Sequence, residues 1–288
     1  NVTPLRPPAS RRLRVVPTPS SPRLSARSVP LPGAPSTSRL SARSTSFAFG
    51  ATAGAAATAG LLYAAYAAPA LAWVDPLRNR LAPRLAGIGP DRGHVALTFD
   101  DGPDPRSTPV VLEVLDRLGW KATFFCLGSM VAATPALARE VASAGHELAV
   151  HGYEHRGALR RSPRRLTDDL RRACDVLGEA TGERLRWYRP PFGEMSAGVF
   201  VAGSRTGVRP ILWSAWGRDW RAEATPGSVV ADLDRGVLRG GTILLHDSDC
   251  ESAPGSWRTT IEALPILADH LESIGVRPGP LADHGLVA

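Results

Sequence analysis

Short apolar runs alternate with amphipathic stretches through most of this chain, and this alternation is the feature that most restricts its fold. The runs at 95–99, 123–127 and 147–150 have the length and composition of buried strands. Between them lie segments with apolar residues at helical spacing, the clearest of which begins at Ser162 and ends at Gly182. About seven such units predict a parallel sheet with helices outside it, either open or closed into a barrel.

The remaining elements follow the same pattern. Strands are predicted at 210–213 and 242–246, and helices at 109–118, 135–144, 197–206, 228–238 and 257–274.

The basic charge of the chain lies near its beginning. Residues 1–47 contain eight arginines and no acid, which leaves 26 basic and 27 acidic residues for the remaining 241. The rest of the chain is therefore nearly neutral, which argues against nucleic acid as a partner. Segment 1–46 is rich in Pro and Ser and poor in aromatic residues, so we expect a disordered tail there.

An uncharged stretch follows this tail. Residues 47–73 are rich in alanine and end in aromatic residues. Such a run, with arginines before it, predicts membrane targeting, either as an anchor with the N-terminus inside or as a signal peptide cleaved near Ala72. Both outcomes place the later residues outside the cytoplasm, and an alanine-rich core helix is the alternative. We expect residues 74–93 to be a linker and 94–288 to be the main folded domain.

Reactive side chains follow the predicted strands at their C-terminal ends. In parallel α/β folds these ends meet at one edge of the sheet, where the chemistry takes place. The residues placed in this way are Asp100, Asp101, His151, His155, Arg189, Asp219 and His246.

Two of these groups together suggest a metal site. Asp100 and Asp101 are adjacent carboxylates, which disfavour each other's ionisation unless a cation binds them. His151 and His155 are four residues apart, so both rings can face one ion from a helical turn or a helix-like loop. With Asp101 they would form a His₂-carboxylate site of the kind that binds Zn²⁺ and leaves positions open for water. The same ligands would also take Co²⁺, Mn²⁺ or Ni²⁺, and the alternative is an ordinary surface turn and histidine pair.

Five motifs occur in order across residues 95–246 and give the chain a resemblance to a known family. They are Thr98-Phe99-Asp100-Asp101-Gly102-Pro103, His151–His155, Arg189-Pro190-Pro191-Phe192, Asp219-Trp220 and Leu244-Leu245-His246. This set resembles the polysaccharide deacetylases of carbohydrate esterase family 4, which are built on the NodB homology domain. The resemblance implies a distorted (β/α) barrel of about seven repeats. Gly152 stands where the family has Ser or Thr, and Phe192 where Tyr is commoner.

The resemblance implies a metal and a base. Asp101, His151 and His155 match the family's metal ligands, and Zn²⁺ is the expected ion. Asp100 matches the general base that takes a proton from metal-bound water, and Arg189 matches the residue that pairs with this base.

The resemblance also implies an acid and a substrate pocket. His246 matches the general acid, and Asp219 matches the carboxylate that orients its imidazole. The backbone N–H of Phe192 matches the donor that stabilises the oxyanion. The other pocket residues implied are Pro191, Trp220 and Leu244.

The implied reaction is removal of N-acetyl groups from a cell-surface or extracellular glycan, with metal-bound water attacking the amide carbonyl. The expected partner is a polymer of the N-acetylglucosamine type, such as peptidoglycan or a chitin-like chain. The alternatives are an O-acetyl esterase acting on a polysaccharide and an inactive glycan-binding module of the same fold. We expect a monomer. The three cysteines show no zinc-site spacing; a Cys174–Cys250 disulfide is an open alternative that nothing in the sequence supports.

Overall fold

The predicted alternation forms a single parallel sheet in the computed structural model, which describes residues 57–286. The tail expected for 1–46 and the first part of the apolar segment, 47–56, lie outside the described residues. The strands of the described part are β1 (His94–Asp100), β2 (Thr123–Cys126), β3 (Glu147–Val150), β4 (Trp187–Tyr188), β5 (Arg209–Pro210), β6 (Ala215–Trp216), β7 (Thr242–His246) and β8 (Arg277–Gly279).

Helices connect these strands and cover the sheet. The helix α6 begins after Ser162, whose hydroxyl accepts a hydrogen bond from the backbone N–H of Arg165, and it ends at Gly182, where φ is 73°. The helices are α1 (Ala57–Trp73, with 3-10 geometry over Ala68–Trp73), α2 (Asp75–Leu81), α3 (Thr108–Arg117), α4 (Gly128–Ala133), α5 (Pro135–Ser143), α6 (Pro163–Thr181), α7 (Ala197–Thr206), α8 (Pro226–Asp234) and α9 (Ser256–Ser273), and short 3-10 turns lie at Pro191–Gly193 and Leu281–Asp283.

The strand β1 lies in the centre of the sheet, and every one of its residues is buried. The strand order is β5-β4-β3-β2-β1-β7-β6, and β8 pairs with the start of β1. All of these pairs are parallel, so the carboxyl ends of the strands meet at one edge. The sheet curls into a half-barrel with its helices outside, which confirms the prediction of a distorted (β/α) barrel.

The predicted strand at 210–213 is confirmed only at its start, where Pro210 belongs to β5, and the hydrogen-bond partners of the following residues explain why the strand ends there. The backbone N–H of Ile211 donates to the carbonyl of Tyr188 in β4 (2.9 Å), and that of Ser214 donates to the carbonyl of Thr242 in β7 (3.0 Å). Between them, the N–H of Leu212 donates to the carbonyl of Leu85 (2.7 Å). The apolar run at 211–213 is buried like a strand, but it crosses between the two ends of the sheet instead of extending one of them.

The stretch expected to be a linker, 74–93, contains the helix α2 and supplies the Leu85 carbonyl. Arg78 in α2 is only 2% exposed. Its guanidinium donates to the carbonyls of Ala72 (2.7 Å) and Trp213 (2.6 Å) and to the carboxylate of Asp75 (2.7 Å). A buried cation with these partners ties the segment before β1 to the barrel.

Within residues 57–286, no single helix is both long and apolar enough to cross a bilayer. The pair α1 and α2 meets the length and composition requirements together, but the two helices meet at an angle of 98°.

Candidate active site

The fold brings the predicted reactive residues to one edge of the sheet. Asp100 is the last residue of β1, and the β1–β7 register places it beside His246, the last residue of β7. His151 directly follows β3, and Arg189 directly follows β4. The loop after β3, with no helical turn, carries His155 to the same place.

Asp100 is held by a buried arginine. The Arg189 side chain is fully buried, and one of its nitrogens donates to Asp100 Oδ1 (2.6 Å) and to the hydroxyl of Thr98 (2.8 Å). Its other terminal nitrogen donates to the carbonyl of Leu212 (2.9 Å), and the guanidinium stacks 4.0 Å above the ring of Phe125. Burial lowers the pKa of Arg189, but Asp100 opposes this shift by favouring the charged guanidinium.

Asp101 faces away from Arg189, towards the two histidines. Its backbone φ is 80°, a left-handed conformation that is uncommon for a residue with a side chain. Its Oδ1 lies 3.2 Å from His151 Nε2 and 3.3 Å from His155 Nε2, and these ligand atoms lie within 4.8 Å of one another. Burial favours the protonated carboxyl, but the close contact with His151 and the charge of His246 lower the pKa of Asp101 to about 2.

The tautomer of His151 follows from its other contact. Its Nδ1 lies 2.8 Å from the carbonyl oxygen of Arg189, and a carbonyl only accepts, so Nδ1 carries the proton. Nε2 is therefore the ring nitrogen left to bind an ion beside Asp101. Burial and the neighbouring His151 lower the pKa of His155 to about 4, so this ring is neutral at pH 7.

This cluster fits a divalent metal. Asp101 Oδ1 is buried without a geometrically acceptable hydrogen-bond donor among the described residues, beside the two imidazole nitrogens. A carboxylate and two neutral imidazoles form a donor set that zinc and related ions prefer, and a cation would satisfy the buried oxygen. The His151 contact with the Arg189 carbonyl is the outer support that metal-binding histidines usually have.

His246 is held by a second buried carboxylate. Its Nδ1–H donates to Asp219 Oδ1 (2.8 Å), and its backbone N–H donates to Asp219 Oδ2 (2.8 Å). The hydroxyl of Thr260 also donates to Oδ2 (2.7 Å). Burial disfavours the charged imidazolium, but Asp219 more than offsets this and raises the pKa of His246 to about 10.

These groups surround a pocket of about 250 Å³. Eight of the residues predicted from the sequence line it, namely Asp100, Asp101, His151, His155, Phe192, Trp220, Leu244 and His246. Arg189 and Asp219 are buried behind Asp100 and His246. Pro191 is also buried and is not part of the lining.

Phe192 occupies an unusual turn at the rim of the pocket. Its φ is 59° and its ψ is 7°, inside the short 3-10 turn Pro191–Gly193. Its ring packs edge-on against His155, with 4.3 Å between the ring centroids. This left-handed conformation fixes the direction of the peptide groups that were predicted to stabilise the oxyanion.

The presence of glycine at position 152 is explained by its backbone conformation. Its φ is 98°, a conformation that glycine adopts freely and that residues with a side chain rarely adopt. The departure from the family's Ser or Thr therefore accompanies a loop that turns sharply between His151 and His155.

Sequence reasoning missed several residues of the pocket wall. Trp73 was assigned to the membrane-targeting segment, and Trp213 to a strand. No signal in the sequence indicated that distant tryptophans would meet here. The lining residues not predicted are Trp73, Gly193, Trp213, Trp216, Glu251 and Ser252. Cys126, Cys174 and Cys250 are all free, so a Cys174–Cys250 disulfide does not form.

The fold is a parallel half-barrel. At its carboxyl edge lie a carboxylate paired with arginine, an imidazole paired with a carboxylate, and a cluster that fits a metal. Together these features define the class of α/β-barrel hydrolases. A family-wide sequence profile described as polysaccharide deacetylase matches residues 88–211. The chain is 34% identical over 185 residues to a peptidoglycan-N-acetylglucosamine deacetylase of Bacillus cereus, covering 64% of this chain and 84% of that protein. It is 34% identical over 199 residues to a chitooligosaccharide deacetylase of Bradyrhizobium, covering 65% of this chain and 88% of that protein.

Solved structures show the same relationship. The peptidoglycan N-acetylglucosamine deacetylase Bc1960 superposes with a TM-score of 0.63 at 26% identity, covering 69% of this chain and 92% of that one. The chain therefore belongs to the polysaccharide deacetylase family, carbohydrate esterase family 4, and is an enzyme of that family. The family resemblance inferred from the five motifs is confirmed.

Proposed function

We propose that this enzyme removes N-acetyl groups from a cell-surface or extracellular glycan of the N-acetylglucosamine type. The observation that carries the proposal is the content of one pocket. It holds a carboxylate paired with a buried arginine, an imidazole paired with a buried carboxylate, and a three-residue cluster that fits a metal. These are the base, the acid and the electrophile site that amide hydrolysis needs.

Asp101, His151 and His155 would hold the divalent ion, for which Zn²⁺ is our first choice and Co²⁺, Mn²⁺ and Ni²⁺ are alternatives. When bound, such an ion lowers the pKa of a water and polarises the acyl oxygen.

Asp100 acts as the general base in this proposal. Its Oδ1 is occupied by the 2.6 Å contact with Arg189, so Oδ2 is the oxygen left to take the proton of the attacking water. The buried guanidinium holds the carboxylate in place between turnovers. The N–H of Phe192 would donate to the oxyanion that forms as the carbonyl is attacked.

His246 acts as the general acid. Asp219 accepts the Nδ1 proton, so the other ring nitrogen carries the proton that is delivered to the leaving group. An amine leaves an acyl carbon only when it is protonated, whereas an alcohol leaves more easily. Asp219 raises the pKa of His246 to about 10 against the opposing effect of burial, so the ring is protonated at neutral pH and can supply the proton that an amine leaving group needs.

The pocket and the relatives support the substrate class. A volume of about 250 Å³ suits one N-acetylated sugar, with the polymer continuing outside it. The names of the relatives support peptidoglycan or chitin-like chains.

We also propose that the enzyme works outside the cytoplasm as a monomer. Because Tyr66 and Trp73 contact the barrel, an anchor would lie in the part of residues 47–73 that precedes Tyr66. The alternative, secretion after cleavage near Ala72, would remove the Tyr66 contact and leave Trp73 in place. The uncharged run with arginines before it supports this location. N-terminal sequencing of the mature protein from fractionated cells separates anchoring from cleavage. Recovery of the intact chain in the cytoplasmic fraction would contradict both.

An acetate-release assay tests the activity. We expect chitooligosaccharides or peptidoglycan to yield acetate and free amine in equal amounts. Asp101→Ala is the blank, and Asp116→Ala, which changes an exposed carboxylate in α3, is the matched control. Acetate released only from O-acetylated polymers, without new amines, would identify an esterase. Binding without release would identify an inactive glycan-binding module.

A further inference from the structure

Trp73 lies outside the part of the chain that the family profile matches, which begins at residue 88, yet it lines the pocket. Its side chain is 50% exposed at the pocket mouth, on the same lining as Asp100 and His246. A large apolar ring exposed beside a polar site is surface that a ligand can cover.

Trp73 belongs to a row of aromatic rings. It meets Trp216 edge to face, with 6.0 Å between the ring centroids and 88° between the planes. Trp216 in turn stacks on Trp220 at 6.2 Å and 28°. Phe192 and Trp220, which also line the pocket, are 49% and 39% exposed. A pyranose ring has C–H faces that pack well on such rings, while its hydroxyls remain in water.

Trp73 also contacts the turn that carries the predicted oxyanion donor. Its indole N–H donates to the carbonyl of Phe192 (2.8 Å). Because Phe192 has a left-handed backbone with φ of 59°, this hydrogen bond helps to hold a conformation that the residue would rarely adopt alone.

Contacts on both sides fix Trp73 in place. Before it, the hydroxyl of Tyr66 donates to the carbonyl of Arg161 and accepts from the hydroxyl of Ser196 (3.2 Å). After it, Arg78 donates to the carbonyls of Ala72 and Trp213. The ring is therefore part of a preformed wall, which lowers the entropic cost of binding a sugar against it.

We propose that Trp73 is a substrate-binding residue: its ring packs against the sugar unit next to the acetylated one, and its N–H holds Phe192. This inference rests on the proposed deacetylase function. The segment before the barrel thereby supplies a specificity element that lies outside the part of the chain matched by the family profile.

The test compares Trp73→Ala and Trp73→Phe with the wild-type full chain on chitooligosaccharides of two to five sugars. Trp73→Ala is expected to raise KM for the longer oligomers by about tenfold, since an aromatic contact of this kind is worth about 1 kcal/mol or somewhat more. For the dimer we expect a smaller change. Trp73→Phe keeps a ring but loses the N–H, so we expect KM to stay near wild type while kcat falls several-fold.

The matched control is Trp120→Ala with Trp120→Phe, which changes a half-buried tryptophan beside the amino end of β1. Equal thermal midpoints across the variants show that folding is retained, and Trp73→Phe carries the test if Trp73→Ala is unstable. A wild type that releases no acetate from any oligomer overturns the proposed function, and the Trp73 proposal with it. An active wild type whose Trp73 variants match the Trp120 controls overturns the Trp73 proposal alone.

Discussion

Asp100 and Asp101 are adjacent in the chain but contact different partners, and the backbone φ angle becomes positive at Asp101. Asp100 ends a strand and faces Arg189, whereas Asp101 has φ of 80° and faces His151 and His155. Adjacent side chains of a strand already point to opposite faces, and the left-handed backbone at Asp101 ends the strand and sets the direction of the second carboxylate. The division of base and metal ligand between adjacent positions therefore depends on local backbone conformation as much as on residue type.

Replacing Asp100 by Asn tests the base. The amide keeps the size of the side chain but cannot take a proton, so we expect kcat to fall by about 10²–10⁴-fold with little change in KM. Steady-state acetate release measures both constants, with Asp116→Asn as the control. Turnover equal to wild type would remove Asp100 from the role of base.

Replacing Asp219 by Asn tests the partner of His246 through the pH dependence of stability. Asp219 raises the folded pKa of His246 from 6.5 to about 10 even though burial opposes it. The stabilisation is fully present below the unfolded pKa and is lost as pH rises through the folded pKa. We expect the variant to be less stable than wild type by about 2 kcal/mol at pH 6, and the gap to shrink towards pH 10. Urea unfolding across this range measures it, and a gap that does not change with pH would contradict the assignment.

At the scale of elements, the helix α2 shows how a segment before the barrel becomes part of it. Arg78 is buried and donates to two carbonyls, one on each side of the contact between this segment and the barrel. Removing the guanidinium would leave both carbonyls without their donor in a buried place. Each unsatisfied group costs more than the net gain from an ordinary hydrogen bond.

Arg78→Met should therefore destabilise the protein by about 2–4 kcal/mol. The matched control is Arg80→Met in the same helix, because Arg80 is exposed. Urea unfolding followed by circular dichroism measures the difference. Equal loss in both variants would show that the Arg78 contacts contribute nothing specific.

At the scale of the whole molecule, the candidate metal ligands join separate parts of the sheet. Asp101 follows β1, while His151 and His155 follow β3, and β2 lies between these strands. An ion held by all three would bind the folded chain and not the unfolded one, because only folding brings the ligands together.

Metal removal should therefore lower the thermal midpoint. Saturating metal is expected to add about 3–4 kcal/mol of stability, which corresponds to about 5–15 °C for a chain of this size. Differential scanning calorimetry with a chelator, and then with added Zn²⁺, measures this shift together with the loss and return of acetate release. Asp101→Ala should show no shift with either addition, and a wild type with the same behaviour would contradict the metal site.

The sequence was sufficient to locate those functional residues that directly follow a strand in the chain. Each reactive residue follows an apolar run, and a parallel sheet brings such positions together, so Asp100, His151 and His246 could be placed before the structure was known. The strand predicted at 210–213 was too long for the opposite reason, because the Leu85 carbonyl that Leu212 meets lies more than a hundred positions earlier. Trp73 was missed because composition alone cannot separate an uncharged targeting segment from one that packs on a barrel.

The contact of the Leu85 carbonyl limits where this enzyme can be truncated or joined to another protein. It accepts a hydrogen bond from the N–H of Leu212 in the crossing between the two ends of the sheet, so contacts of the barrel extend upstream of His94. The smallest portion that could be moved intact into another protein begins upstream, with Tyr66 and its anchor to Arg161. A fusion joined at His94 would carry every residue of the five motifs and still lack one wall of its own binding site.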